Sequence, residues 1–164
     1  MLGVAHPWSE RKGLKDYISL SKLLPHNVLI VLVGLSEDQR RGLPENIIGL
    51  GATQCVEELV MLYSMADIVL NLSRAETFGL TTVEGYACGT PGIVYNATAS
   101  PELITPEIGA VVESGDIQGV ANAVAEILGK RKEYYSEACR KRAVECYSKD
   151  VEFKKYINLF KELL

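Results

Sequence analysis

The sequence predicts an α/β domain built on a doubly wound parallel sheet of about six strands, with helices on both faces. Three observations carry that expectation. Short apolar runs alternate along the whole chain with longer segments whose apolar residues recur at helical spacing. The clearest unit, residues 66–91, passes from an apolar run through a polar loop into a helical stretch closed by Gly89-Thr90-Pro91. With 164 residues, 48% hydrophobic and 23% charged, the chain has the size and composition of one globular domain covering residues 1–164.

Leu2-Gly3-Val4-Ala5 opens the chain on a core strand with no lead-in, and that abrupt start leads us to expect a fragment of a longer protein. After His6-Pro7-Trp8, a helix is expected to about Leu24, with Ser9 as N-cap, Lys12 in the loop or first turn, and Leu14, Ile18 and Leu23 facing inward. Asn27 to Val33 reads as the second strand, and Gly34 turns the chain out toward the ligand edge. A short polar helix from Leu35-Ser36-Glu37 ends by Gly42, and Asn46 to Gly51 supplies a third strand. Val56, Leu59, Val60 and Tyr63 form one apolar helical face. Asp67, beside the strand at 66–70, is expected to be structural.

From about Leu80 a helix is expected, with Val83, Tyr86 and Ala87 recurring at helical spacing, followed by the strand Gly92–Tyr95. Ser100-Pro101 predicts a loop-to-helix turn, and Gly109–Val112 the last strand. Asp116 caps a helix striped with Ile117, Val120, Val124, Ile127 and Leu128. The charged stretch from Lys130 to Tyr147 is basic in places, but Glu133, Glu137 and Glu145 offset it, so a solvated helix face is expected rather than a nucleic-acid surface. The last helix, Val151 to Leu164, carries Phe153, Tyr156, Ile157, Phe160 and Leu164 along one side.

Composition narrows the function classes. A net charge of −4 argues against nucleic acid as the main partner. No apolar run approaches the ~20 residues of a membrane span, and no signal-peptide pattern is present. The cysteines at 55, 88, 139 and 146 are scattered, with no C-x-x-C pair, which suggests a reducing, cytoplasmic setting. His6 and His26 stand far apart, so metal binding is not expected. No G-x-G-x-x-G follows the first strand and no Walker lysine motif appears, which speaks against dinucleotide oxidoreductases and kinase-type phosphate chemistry.

Chemistry concentrates in Ser73-Arg74-Ala75-Glu76-Thr77-Phe78-Gly79 and the helix after it. In α/β sheets, ligands sit beyond the carboxyl ends of the strands, in such strand-to-helix loops. If the helix starts near Leu80, its free N–H groups and dipole make a seat for a phosphate. Glu76 in the loop and Glu84 in the helix then flank that seat. Two carboxylates with helix amides between them suit a ligand with hydroxyls at both ends and phosphate in the middle, which describes a sugar nucleotide.

Glu76 and Glu84, in E-TFGLTTV-E followed by EGYACGTPGIV, resemble the glutamate-pair signature of retaining GT-B glycosyltransferases of the family 4 type. The similarity covers about Gly3 to Leu164. It implies a Rossmann-like domain, the C-terminal, donor-binding half of a GT-B architecture, whose N-terminal acceptor-binding half is missing here. The donor implied is a nucleoside-diphosphate sugar, with no cofactor and no metal. By the same resemblance, Glu76 faces the transferred sugar, Glu84 bonds the ribose hydroxyls, and Phe78, Gly79 and Leu80 offer backbone N–H groups. Lys12-Gly13 matches a Lys-Gly pair whose lysine meets the diphosphate, so Lys12 and Glu76 are the expected catalytic residues.

Gly51-Ala52-Thr53 would lie against the nucleobase, although a simple turn fits those residues equally well. The pattern departs at Pro7, where an arginine is usual and Arg11 is the nearest substitute. It departs again at Gly85-Tyr86, and at Ala97-Thr98-Ala99, where glycines are usual. The resemblance implies that the last helix crosses toward the missing domain, with its apolar side uncovered in this chain. Any membrane association, at the inner face, would come through the missing half. Three other readings remain open: a nucleotide-binding module without chemistry of its own, a sugar-nucleotide epimerase on the same fold, and an interaction protein that has kept the fold and lost the ligand. The mark of the last would be the loss of Glu84 or Lys12, both present here.

Overall fold

Six short apolar segments pair side by side and all in parallel: β1 (Leu2–Val4), β2 (Ile30–Val33), β3 (Ile47–Leu50), β4 (Val69–Asn71), β5 (Gly92–Tyr95) and β6 (Gly109–Val112), in the order β3-β2-β1-β4-β5-β6. The computed structural model describes residues 1–163. Leu2 sits opposite Val31 of β2 on one side and Val69 of β4 on the other. Parallel strands covered on both faces read as continuous apolar runs, and β5 is buried at all four positions. The chain winds outward in both directions from β1 and β4, so the loops after these two strands part and leave a crevice between them.

The helices are α1 (Leu14–Ser21), α2 (Glu37–Arg40), α3 (Val56–Met65), α4 (Leu80–Ala87), α5 (Ile117–Lys130), α6 (Lys132–Tyr147) and α7 (Lys149–Leu163), with 3-10 turns at Glu10–Lys12 and Ser100–Leu103. The expected alternation holds from β1 to β5; β5 and β6 are joined through a 3-10 turn alone, and α5, α6 and α7 follow β6 with no strand between them. Ser36 and Gln39 close α2 with a reciprocal capping box, and Asp116 accepts the Gly119 N–H at the head of α5. Val120, Val124 and Ile127 bury the α5 stripe as its spacing predicts.

Several expectations are corrected. The first helix starts after Gly13, not at Ser9, whose side chain makes no capping bond; Lys12 lies in the 3-10 turn ahead of it. The break is at Gly13, which has φ +74 and packs so close to the Leu72 carbonyl that a Cβ would collide with it. Because α1 stops at Ser21, Leu23 is exposed, and Tyr17 and Leu20 fill the interior in its place. Strand β2 begins at Ile30 because Val28 N–H turns back to the Pro25 carbonyl. Val56 and Val60 are exposed on α3, which leaves Tyr63 as its one fully buried side chain.

Helix α6 has the solvated face its charge suggests, with Glu133, Glu137, Lys141 and Glu145 exposed, but its opposite side is docked. Tyr135, Cys139 and Ala143 are buried, four residues apart, on the side turned to α4. Lys132, Ser136 and Arg140 share the same spacing and donate to the carbonyls of Ser64, Gly89 and Ala87. Those carbonyls belong to the C-terminal ends of α3 and α4, where the last C=O groups of a helix lack partners of their own. By contrast α7 buries no residue, and Phe153, Tyr156, Ile157 and Phe160 are all exposed. Leu164, expected on the same stripe, lies outside the described residues. Among those described, no helix is long and apolar enough to cross a membrane.

Candidate functional site

The crevice beside β1 and β4 gathers most of the residues singled out above. Strand β4 delivers the loop 72–79, and Gly79 opens α4 in a left-handed conformation, with the first N–H bond of the helix running from Thr82 back to Gly79. The N–H groups of the first turn are thereby left facing the loop. On the opposite wall, Gly13 places the 3-10 turn so that Lys12 reaches across to Glu76, Nζ to Oε1 at 2.6 Å. Both side chains are largely withdrawn from solvent, at 18% and 11% exposure.

Two cavities share Lys12 and Thr81. One of 210 Å³ is lined by Lys12, Glu76, Thr77, Phe78, Gly79, Leu80 and Thr81. The other, of 270 Å³, runs from Lys12 past Ala5, His6, Gly34 and Leu59 to Ala52 and Thr53. Gly34, at φ +90, is pressed against the Ala5 carbonyl, where any side chain would collide. A groove along Gly51, Ala52 and Thr53 continues toward Met61 and Met65. Nothing lies within 4 Å of where a Gly51 Cβ would point.

Two expected residues are placed differently. Gly13 lines neither cavity; its part is the turn that positions Lys12. Glu84 sits one turn further along α4, in a separate apolar hollow with Val56, Leu59, Val60, Tyr63, Ala87 and Cys88. Its carboxylate accepts the Tyr63 hydroxyl at 2.8 Å. Burial and the adjacent Glu84 charge raise the Tyr63 phenol well above its ordinary range, so it stays protonated as a donor. Arg11 is also outside both cavities: its guanidinium donates to the Ala75 carbonyl at 3.0 Å.

Contacts that the sequence did not suggest hold the Glu76 loop. Arg74 Nη2 meets both Asp16 oxygens at 3.1 and 2.9 Å, and the Tyr95 hydroxyl donates to the same carboxylate at 3.0 Å. Asp16 lies four residues before the inward Leu20, a place where an acid needs a partner, and that spacing was the available signal. Arg74 N–H also donates to the Arg11 carbonyl at 2.8 Å. Thr98 Oγ1 accepts the Glu76 N–H at 2.7 Å and donates to the Glu76 carbonyl at 2.8 Å. Phe78 packs edge-on against Tyr147 of α6, centroids 5.7 Å apart. No cluster of three or more His, Cys, Asp or Glu among the described residues could hold a metal ion.

This chemistry comprises a cation and a carboxylate in contact, helix amides beside them, and a neighbouring cavity floored by glycine and small side chains. It suits a phosphate-bearing ligand with hydroxyls at one end. Residues 3–145 match the profile of the family Glycosyl transferases group 1. Over 87 residues the chain is 36% identical to the GDP-mannose-dependent alpha-(1-6)-phosphatidylinositol dimannoside mannosyltransferase of Mycobacterium tuberculosis, covering 53% of this chain and 22% of that protein. In structure it resembles the sucrose-phosphate synthase of Thermosynechococcus elongatus, with a TM-score of 0.86, 23% identity, and coverage of 99% of this chain and 45% of that one.

It also resembles the HepE protein of Anabaena in complex with UDP-glucose, with a TM-score of 0.80, 23% identity, and coverage of 99% and 48%. The chain spans less than half the length of each of these proteins. At such identity the structural likeness is one of fold, a Rossmann-like parallel sheet of the GT-B kind. The profile match, by contrast, takes in most of the chain. By that match the chain belongs to the glycosyl transferases group 1 family.

Proposed function

We propose that this chain is the donor-binding domain of a retaining glycosyltransferase, of family 4 type, which moves a sugar from a nucleoside diphosphate to an acceptor hydroxyl. The observation that carries the reading is the Lys12–Glu76 pair at the open head of α4, at the carboxyl edge of the sheet. The diphosphate would lie between Lys12 and the α4 amides. Negative charge grows on that group as the glycosidic bond breaks, and preorganised donors stabilise it most at that moment. Glu76 would hold the hydroxyls of the sugar in the 210 Å³ cavity. The base would enter the larger cavity toward Ala52 and Thr53.

Glu84 would accept from the ribose hydroxyls. For that its carboxylate serves two donors at once, with Tyr63 already bonded to one oxygen. The solved relative bound to UDP-glucose supports a nucleotide sugar as the ligand class. Because the chain is less than half the length of its relatives, we expect it alone to bind donor without transferring the sugar. Acceptor contacts would come from a second domain, which the uncovered face of α7 would meet. A cytoplasmic setting fits this reading, with any membrane contact made by that second domain.

Calorimetric titration with UDP, GDP and ADP tests the site. One nucleotide should bind, and Glu84→Ala should weaken it by about 1.5–3 kcal/mol, the cost of a charged hydrogen bond. Tyr63→Phe controls for the lost contact between α3 and α4 and should weaken binding less than Glu84→Ala does, because the carboxylate that would meet the ribose remains. If the full two-domain protein also ignores all three nucleotides, the donor-site reading is wrong.

A further inference from the structure

Thr98 has φ +48, one of two positive-φ residues other than glycine among the described residues. A β-branched side chain is a rare occupant of that region, which glycine enters freely, and a strained residue persists only where something nearby holds it there. What holds it is a pair of hydrogen bonds with the Glu76 backbone. One hydroxyl accepts from the Glu76 N–H and donates to the Glu76 carbonyl, the two roles a single Oγ can fill together. Neither backbone group of Glu76 has another partner among the described residues. Glu76 is thus gripped from two directions, its backbone by Thr98 and its carboxylate by Lys12.

We propose that Thr98 is a positioning residue, a latch whose hydroxyl fixes the backbone of Glu76 and so aims its carboxylate into the cavity it shares with Lys12. The functional side of this proposal rests on the donor-site reading above; the latch itself does not. The grip joins the loop after β4 to the loop after β5, two segments that sequence separation leaves independent. Thr98 is exposed, so water can solvate Glu76 when the hydroxyl is removed. The loss should therefore show as a loosened, mis-aimed loop and not as unfolding.

The test compares the whole chain with Thr98→Ser, Thr98→Val and Thr98→Gly. Serine keeps the hydroxyl, valine keeps the shape, and glycine removes both hydroxyl and backbone strain. Backbone amide exchange at Glu76, followed by NMR, should quicken about tenfold or more in the valine and glycine variants and stay near the parent rate in the serine variant. Titrations with UDP-glucose, GDP-mannose and ADP-glucose, and with the bare diphosphates, supply the second readout. For whichever nucleotide binds, the valine variant should lose about threefold to tenfold in affinity for the sugar nucleotide. Its affinity for the diphosphate should be unchanged.

Parent-like exchange in the valine and glycine variants overturns the latch. Equal loss for sugar nucleotide and diphosphate overturns its role in aiming Glu76. If the parent chain binds no nucleotide at all, the donor reading loses its support while the exchange rates still decide the latch.

Discussion

Helices α6 and α7 follow one another, run 16 and 15 residues, and are similarly charged, yet one is docked and the other is bare. The docked one has the poorer apolar stripe. Helix α6 buries Tyr135, Cys139 and Ala143 and sends three polar side chains to carbonyls at the ends of α3 and α4. Helix α7 aligns Phe153, Tyr156, Ile157 and Phe160 and covers none of them. An apolar stripe shows that a helix can be buried, whereas docking depends on a surface whose shape and unpaired groups match it. In α6 the match is polar as much as apolar.

The comparison breaks most sharply if truncation costs the same in both helices. Tyr135→Ala should destabilise the chain by about 3–5 kcal/mol in urea titration, as expected for a large buried aromatic. Phe160→Ala should fall within about 0.5 kcal/mol of the parent, as an exposed site does. Next in size, Ser136→Ala removes the donor to Gly89 and should cost about 1 kcal/mol by the same measurement.

The smallest effect concerns pH. Burial pushes the Cys139 thiol from its ordinary 9.0 up to about 12. The folded chain then holds a proton that the unfolded chain releases, so this stabilisation is complete below pH 9 and fades as pH rises toward 12. The buried phenols of Tyr63 and Tyr86, also raised chiefly by burial, act with the same sign at higher pH. The urea midpoint should therefore drop between pH 8.5 and 10.5, and Cys139→Ala should shallow that drop. No residue of α7 should alter it.

The sheet was legible because each strand is a local apolar run, and the loop from Glu76 to Leu80 was legible because its residues are contiguous. What escaped the sequence is what joins distant segments. Arg74 meets Asp16 across 58 positions, Thr98 meets Glu76 across 22, and Tyr63 meets Glu84 across 21. None of these pairs leaves a periodic trace. The start of α1 was misplaced for a similar reason, since the Leu72 carbonyl, from beyond β4, dictates the turn at Gly13. The solvated face of α6 was legible, but its docked side was not, because the partners of Lys132, Ser136 and Arg140 are main-chain oxygens, which no side-chain pattern announces.

The arrangement of α4 has a mechanical consequence. Its tail is pinned by Ser136 and Arg140, and its middle is tied to α3 through Tyr63 and Glu84, while α3 is itself held at the tail by Lys132. The tails of the two helices are therefore held together through α6, whereas the head of α4 is fixed by the sheet: Thr82 is fully buried there and accepts from the Asn71 amide. The start of α4 beside Lys12 and Glu76 is thus braced from beneath by β4, and its tail is braced from the side by α6.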